Sequence, residues 1–455
     1  MSRNTSFKER FALATGEIIA WIIPKIPFFT SDFCKRYIQN SAYKGFFSIV
    51  SGSVFGQLIV LLATPIVTRL YSPSDYGILS LYGVVVSITL VFATLKYELA
   101  IPLPKEDEKA INLMALCLLS VLGMSVISSL LIYSIGNSFF SGIQMSLLSP
   151  YLWLISLSVL GGGIYSVLNY WAIRDKCYSD IAKTQVNKSI YGSTGKITLG
   201  FLNISPLGLM LGEFIGQVTG CLTLLRSFVD GHRQKLSCVS WKAMLSVSKQ
   251  YYRFPLYSCP SVLFNVLAFQ MPVLMLIRLY GPDTAGLYSL ANSVLILPAS
   301  LISVAVSQVY LGEIAQYIHK EPARVKRYYH AVTRKLALIS LPTISLIAVL
   351  APFCFPLVFG AVWKEAGFYC IALAGTIIAQ LVFSPTSILH YCGRNNWVLL
   401  FDISRTVLIG GVFLLCAKMG YSPLISLAAY SITMALMYVV NYLMNRRAIA
   451  CLVGE

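Results

Sequence analysis

Arg69-Leu70-Tyr71-Ser72-Pro73-Ser74-Asp75-Tyr76-Gly77-Ile78-Leu79-Ser80-Leu81 is a short polar turn set between two long apolar runs, and it occurs twice. The second copy is Arg278-Leu279-Tyr280-Gly281-Pro282-Asp283-Thr284-Ala285-Gly286-Leu287-Tyr288-Ser289-Leu290, identical at seven of the thirteen positions and offset by 209 residues. That offset is close to half of the 455-residue chain. One unit has therefore been used twice in the same direction.

Away from these turns the apolar residues fall in blocks of roughly 20 to 26, long enough to cross a hydrocarbon layer about 30 Å thick. Hydrophobic residues make up 57% of the chain and charged residues 12%, against about 25% charged in soluble proteins. Mean hydropathy is +0.72. The fold class is an all-α polytopic membrane protein; a transmembrane barrel would instead show alternating strands of about ten residues. Twelve spans are expected, at 45–68, 77–101, 110–135, 148–172, 179–204, 206–228, 255–279, 286–311, 335–359, 366–391, 397–418 and 422–444.

The formal net charge of +17 would point to nucleic acid in a soluble chain. Here the basic residues sit between apolar blocks, so they report orientation and imply no nucleic-acid partner. Counting connections alternately, one side collects 27 of the 35 Lys and Arg and the other only Arg69, Arg278, Lys364 and Lys418. The rule that positive loops stay inside then puts both termini in the cytoplasm. Residues 1–44 form an N-terminal extension, either an interfacial helix or an unstructured tail, too interrupted by Gly16-Glu17 and Pro24-Lys25-Ile26-Pro27 to span. The connection 230–254 joins the two halves and carries Trp241, Leu245 and Tyr251-Tyr252 among basic residues, the pattern of a surface helix. Residues 45–229 and 255–444 are then the two lobes, and 445–455 a cytoplasmic tail.

Asp180-Ile181-Ala182-Lys183-Thr184 in span five matches Asp402-Ile403-Ser404-Arg405-Thr406 in span eleven, at an offset of 222 that a longer connection after span eight explains. Two parallel six-span repeats follow, related by an axis along the membrane normal. The eleven cysteines are scattered singly with no CxxC or Cys/His cluster, so neither a metal site nor structural disulfides are expected.

The first turn, followed by Lys96-Tyr97-Glu98-Leu99-Ala100-Ile101-Pro102, resembles the polysaccharide-transporter branch of the multidrug/oligosaccharidyl-lipid/polysaccharide flippase superfamily, most of all its O-antigen (Wzx-type) members. The resemblance implies a non-enzymatic transporter with two six-helix lobes around a central cavity that opens alternately to each side of the bacterial cytoplasmic membrane. Its implied substrate is an undecaprenyl-pyrophosphate-linked oligosaccharide moved to the periplasmic leaflet. No cofactor is implied beyond coupling to a proton or sodium gradient. A monomer is expected, with other polysaccharide-assembly membrane proteins as further candidate partners. The long N-terminal extension departs from the family pattern.

Ionisable groups at membrane depth are expensive and need a reason. Span five carries Lys183, Lys188 and Lys196 at increasing depth. Lys183 is close enough to the end to snorkel. Lys188 and Lys196, eight residues apart, share a broad helix face and with Arg405 are the candidate cationic wall for pyrophosphate. Glu213 lies as far after the turn near Pro206 as Lys196 lies before it, so the two can pair, structurally or as a coupling switch. Asp402 and Arg405 can pair along one helix. Glu98, near the end of span two, is read as a structural acceptor ahead of a transport residue. Gly208, Gly212, Gly216 and Gly220 form a strip for close helix packing. Gly161-Gly162-Gly163 marks a bend or a close contact, and His390 a satisfied polar group.

Three functions compete. A cation or drug exporter of the same superfamily needs acidic groups in its cavity, but the deep charges here are mainly basic. A membrane glycan polymerase needs a long outer loop for its catalytic groups, and none is present. The flippase reading leads.

Overall fold

The computed structural model describes residues 41–139, 145–232, 238–317, 321–389 and 394–453. His390 and residues 1–40 of the N-terminal extension lie outside them. Among the described residues the chain is helical and has no strand. Helices α1 (Ser41–Leu70), α2 (Pro73–Ala93), α3 (Asp107–Phe139), α4 (Leu152–Arg174), α5 (Tyr178–Phe201) and α6 (Leu207–His232) form the N-lobe. The short α7 (Trp241–Gln250) is the link. Helices α8 (Cys259–Tyr280), α9 (Pro282–Tyr317), α10 (Pro322–Val358), α11 (Lys364–Phe383), α12 (Asn395–Lys418) and α13 (Pro423–Val453) form the C-lobe.

These twelve long helices fall on the twelve expected spans. Eleven of them are apolar and long enough to cross a membrane. The exception is α5, whose lysines and polar residues make it too hydrophilic to insert alone. It is held by packing against α6 and α1, the two most extensive helix contacts of the N-lobe.

The repeat is visible in which helices touch. In the N-lobe α1 packs on α5, α5 on α6, α4 on α6, α3 on α4 and α2 on α4; in the C-lobe the equivalent pairs α8–α12, α12–α13, α11–α13, α10–α11 and α9–α11 pack in the same way. The lobes meet mainly through α2 and α9, one from each repeat.

The repeated turn forms that meeting. Pro73 and Pro282 open α2 and α9 at the first helical position, where proline's missing N–H is no loss. Ser72 caps α2, its hydroxyl accepting from the Asp75 N–H while the Asp75 carboxylate accepts from the Ser72 N–H at 2.8 Å. In the second copy Gly281 adopts φ +91°, a left-handed conformation suited to glycine, and ends α8. The glycine of each copy then sits against the proline of the other. A Cβ on Gly77 would strike the Pro282 carbonyl, and one on Gly286 would strike that of Pro73. Ser80 donates to Ser289, the same position of the other repeat, at 2.6 Å. Trp363 of the C-lobe closes over the seam, donating from Nε1 to the Thr68 carbonyl at 2.9 Å and meeting the Tyr76 ring edge-on.

One expectation changes. The connection at 312–334 is largely helix, because α9 continues to Tyr317 and α10 starts at Pro322. At about 1.5 Å per residue, α9, α10 and α13 are far longer than a bilayer core. They project together on the Lys/Arg-rich side around Tyr310, Ile314, Val325, Tyr329 and Ile449. The glycine triplet of α4 lies within one continuous helix, and of the two readings, bend or close contact, the close contact is present. It admits close neighbours: a Cβ on Gly162 would meet Gln217 and Leu90, and one on Gly163 would meet Val121.

The link carries the expected amphipathic helix. Ser240 caps α7; Val247 is buried, while Trp241 and Leu245 are exposed. Asn112 of α3 anchors its start, donating to the Cys238 carbonyl at 3.1 Å and accepting from the Ser240 N–H at 3.0 Å. Tyr97 donates to the Ser248 carbonyl near its end.

Candidate substrate-binding site

Glycine decides how close α5 and α6 can come. Gly212 and Gly216 lie against Lys196, Gly192 and the Lys188 carbonyl, where any Cβ would collide with them. The strip expected on α6 therefore faces α5, and it brings the deep charges of both helices together.

Lys196 Nζ lies 2.7 Å from Glu213 Oε2, the pair expected from their matched depths. The lysine is 20% exposed and the glutamate 50%, so the pair opens on space and is not sealed in a core. The repeated turn supports it: the Tyr71 hydroxyl donates to the Lys196 carbonyl at 2.9 Å. Burial, with a lesser push from Asp75, raises the Tyr71 phenol to about 12, so it remains a donor.

Lys188 lies about 12 Å from Lys196 along the helix axis, on the rise of roughly 1.5 Å per residue. Its ammonium sits 5.4 Å from the centre of the Tyr165 ring, a cation–π arrangement. The Tyr165 hydroxyl in turn accepts from Gln185 Nε2 at 3.2 Å. Lys188, Lys196 and Glu213 are thus grouped inside the N-lobe, between α4, α5 and α6.

The face of α5 that carries Gln185 and Ser189 borders a cavity of about 510 Å³, and Lys196 follows them further along the same stripe. The cavity lies between α1, α5 and α9, where the N-lobe faces the C-lobe. Its polar lining is Ser53, Gln57, Thr64, Gln185, Ser189, Ser293 and Ser300. Ser300 donates to Gln57 Oε1 across the lobes at 3.1 Å. None of these residues was singled out from the sequence. The signal was present: Ser53, Gln57 and Thr64 on α1 and Ser289, Ser293 and Ser300 on α9 both follow the spacing i, i+4, i+11. That spacing makes one straight polar stripe on an otherwise apolar helix.

The remaining predicted residues lie elsewhere. Arg405 and Asp402 pair at 3.0 Å within the C-lobe, their side chains 3% and 5% exposed. The guanidinium also lies over the Phe269 and Phe401 rings. Arg405 is thus shut off from open space in this conformation and is not brought to the two lysines. Glu98 is buried and pairs with Lys96 at 3.3 Å. The pair sits where α2 ends, at a turn in which Leu95 and Lys96 both take positive φ. Lys183 pairs with Asp180 at 3.7 Å. Arg69 and Arg278 are exposed at the rim of the seam.

Two parallel six-helix lobes with charged and polar groups held between their helices define a multi-pass helical membrane protein. Its fold is shared with solved transporters of the MOP superfamily. A multidrug resistance MATE family transporter of that superfamily, in an inward-facing conformation, aligns with a TM-score of 0.68 and 15% identity over 88% of this chain and 96% of its own. An outward-facing conformation of such a transporter gives 0.56 and 14% over 90% and 96%. The lipid II flippase MurJ in an inward closed conformation gives 0.66 and 13% over 90% of this chain and 87% of its own. By sequence, residues 66–367 match the family of polysaccharide biosynthesis proteins, and the chain belongs to it. The teichuronic acid biosynthesis protein TuaB of Bacillus subtilis (strain 168) is 28% identical over 204 residues, which is 44% of this chain and 41% of that protein.

Proposed function

We propose that the protein is a flippase for an undecaprenyl-pyrophosphate-linked oligosaccharide, an O-antigen or related surface polysaccharide unit. It carries the headgroup from the cytoplasmic to the periplasmic leaflet of a bacterial cytoplasmic membrane by alternating access. The observation that carries this reading is the Lys188, Lys196 and Glu213 cluster, charge placed at membrane depth inside a lobe, where ionisable groups are costly. The family supports a polysaccharide building block, and the likeness to a lipid II flippase supports a lipid-linked one.

In this mechanism Glu213 keeps Lys196 charged and oriented while the site is empty. An arriving pyrophosphate exchanges for the carboxylate, and Lys188 supplies the second positive charge. Lysine suits this exchange because its ammonium is a mobile point charge on a flexible stem. The prenyl chain stays in lipid, and the lobes rock about the seam made by the repeated turns. Glu213, freed from Lys196, is the group placed to take a proton or sodium ion and so couple transport to a gradient. A cation exporter would need a free carboxylate, but Glu213, Asp402 and Glu98 each already face a basic partner.

The test is complementation of surface glycan in a strain lacking its own flippase. Lys196→Gln and Glu213→Gln are compared with the double variant at matched membrane levels. A purely structural pair predicts that the double variant recovers export, since no charge is left unpaired. The flippase reading predicts that Lys188→Gln and the double variant both stay at least tenfold impaired. Export at the unaltered level in both refutes it.

A further inference from the structure

The cavity between α1, α5 and α9 has a composition that the cationic cluster does not explain. It is lined by five hydroxyl and two carboxamide side chains, with no Lys, Arg, Asp or Glu. At about 510 Å³ it lies in the range of roughly 300 to 1,000 Å³ typical of small-molecule sites. Its polar groups are arranged as two opposed stripes, Ser53, Gln57 and Thr64 facing Ser293 and Ser300, with Val60, Leu61, Leu290 and Leu297 between them.

The hydrogen-bond inventory of these groups fits a sugar. Thr64 donates to the Val60 carbonyl and Ser293 to the Ser289 carbonyl, while the Ser300 proton lies between the Leu297 carbonyl at 2.9 Å and Gln57 Oε1 at 3.1 Å. Each hydroxyl keeps acceptor capacity, and each carboxamide offers both donor and acceptor atoms. Sugar hydroxyls, which donate and accept, match such a lining. A carboxylate is matched less well, because no cation is among these lining residues.

We infer that this cavity is a subsite for an uncharged sugar of the lipid-linked glycan, a neutral hexose or N-acetylhexosamine in place of a uronic acid. The inference rests on the flippase reading above and specifies its substrate. Tyr165 joins the two halves of the site. Its ring lies under the Lys188 ammonium and its hydroxyl holds Gln185, a cavity residue. A pyrophosphate on the lysines therefore leaves its attached sugar beside α1 and α9. The Gln57–Ser300 bond is the one that spans the two lobes in this cavity, so a sugar inserted there replaces a contact between lobes with contacts to itself.

The experiment uses the full-length protein in phospholipid vesicles with three fluorescent probes. They are undecaprenyl pyrophosphate bearing no sugar, a neutral hexose, or a hexuronic acid. The unaltered protein should move the neutral-sugar lipid at least tenfold faster than the uronate lipid. Ser293→Lys, which places a cation in the cavity, should reverse that preference. Gln57→Leu should erase the advantage of the neutral-sugar lipid over the sugar-free one. A protein that moves the uronate lipid as fast as the neutral one, or a ratio unchanged by both substitutions, overturns the neutral subsite and leaves the flippase reading standing. A protein that moves none of the three overturns the flippase reading, and this proposal with it.

Discussion

Replacing Gly77 and Gly286 by alanine should stop the seam between the lobes from closing while leaving the helices intact. A Cβ on Gly77 would lie 2.6 Å from the Pro282 carbonyl carbon and one on Gly286 2.8 Å from that of Pro73, where ordinary contact begins at 3.4 Å. The two carbonyl oxygens lie closer still, so the facing helices must part by more than the roughly 0.6 to 0.8 Å that the carbons alone require, and the obstructing atoms are backbone, which cannot rotate away. Overpacking of a tight contact costs roughly 1–3 kcal/mol, or about 2–6 kcal/mol for the two symmetric sites together. Alanine also favours a helix over glycine by about 1 kcal/mol, but that gain is the same in every conformation and offsets nothing at the seam. At about 1.4 kcal/mol per tenfold change in population, the closed seam should fall by more than an order of magnitude. The assay is disulfide formation between Ser80→Cys and Ser289→Cys, whose native hydroxyls are 2.6 Å apart. Gly83→Ala is the control, since a Cβ there meets nothing within 4 Å. Cross-linking should be fast in the reporter and in the Gly83→Ala background, and at least tenfold slower with the paired glycine substitutions. Equal rates in all three would show that the two turns do not gate the lobes.

Three further outcomes follow from charge and anchoring. Arg405→Leu should lower stability by roughly 3–5 kcal/mol by removing the cation that faces buried Asp402, and Asp402→Asn should restore most of the loss, as read by thermal unfolding of the purified protein. Lys196→Gln should cost less, between roughly 1 and 3 kcal/mol, because Glu213 is half exposed and water takes up part of the charge. Asn112→Ala removes both hydrogen bonds that hold the start of α7 to α3, so limited proteolysis within 238–250 should quicken severalfold while the lobes stay resistant.

The architecture was legible because hydrophobic length and charge asymmetry are local signals. Each span shows as a block, and the duplicated turn relates the blocks across half the chain. The same turn was readable as a cap, since proline, serine and aspartate at fixed spacing carry that chemistry themselves. Its role as the seam was not readable, because Gly77 and Pro282 are 205 positions apart and meet only once the lobes are placed about their axis. The Lys196–Glu213 pair could be anticipated because a single turn joins the two helices and fixes their relative depth. Arg405 shows the reverse. It resembled the lysines in depth, but whether a helix residue faces a core or open space depends on neighbours that spacing alone does not name. The neutral cavity went unseen for a related reason: serines in a membrane helix bond back to their own backbone, as Ser293 does, and only the arrangement of two facing stripes turns them into a site. The length of α9 and α10 was masked by their basic residues, which look like loop when the aromatic contacts around Tyr310 and Tyr329 are out of sight.

The central claim is that the two deep lysines receive the pyrophosphate of a lipid-linked glycan, and the most direct measurement is transport in vesicles. The purified full-length protein would be reconstituted with a fluorescent undecaprenyl-pyrophosphate-linked oligosaccharide, and its movement between leaflets followed by quenching from outside. Protein-dependent movement should be seen, and it should fall at least tenfold in Lys188→Gln and in the Lys196→Gln/Glu213→Gln double variant, each folded and inserted normally. Movement at the unaltered rate in both variants, or none with the unaltered protein, would contradict that claim.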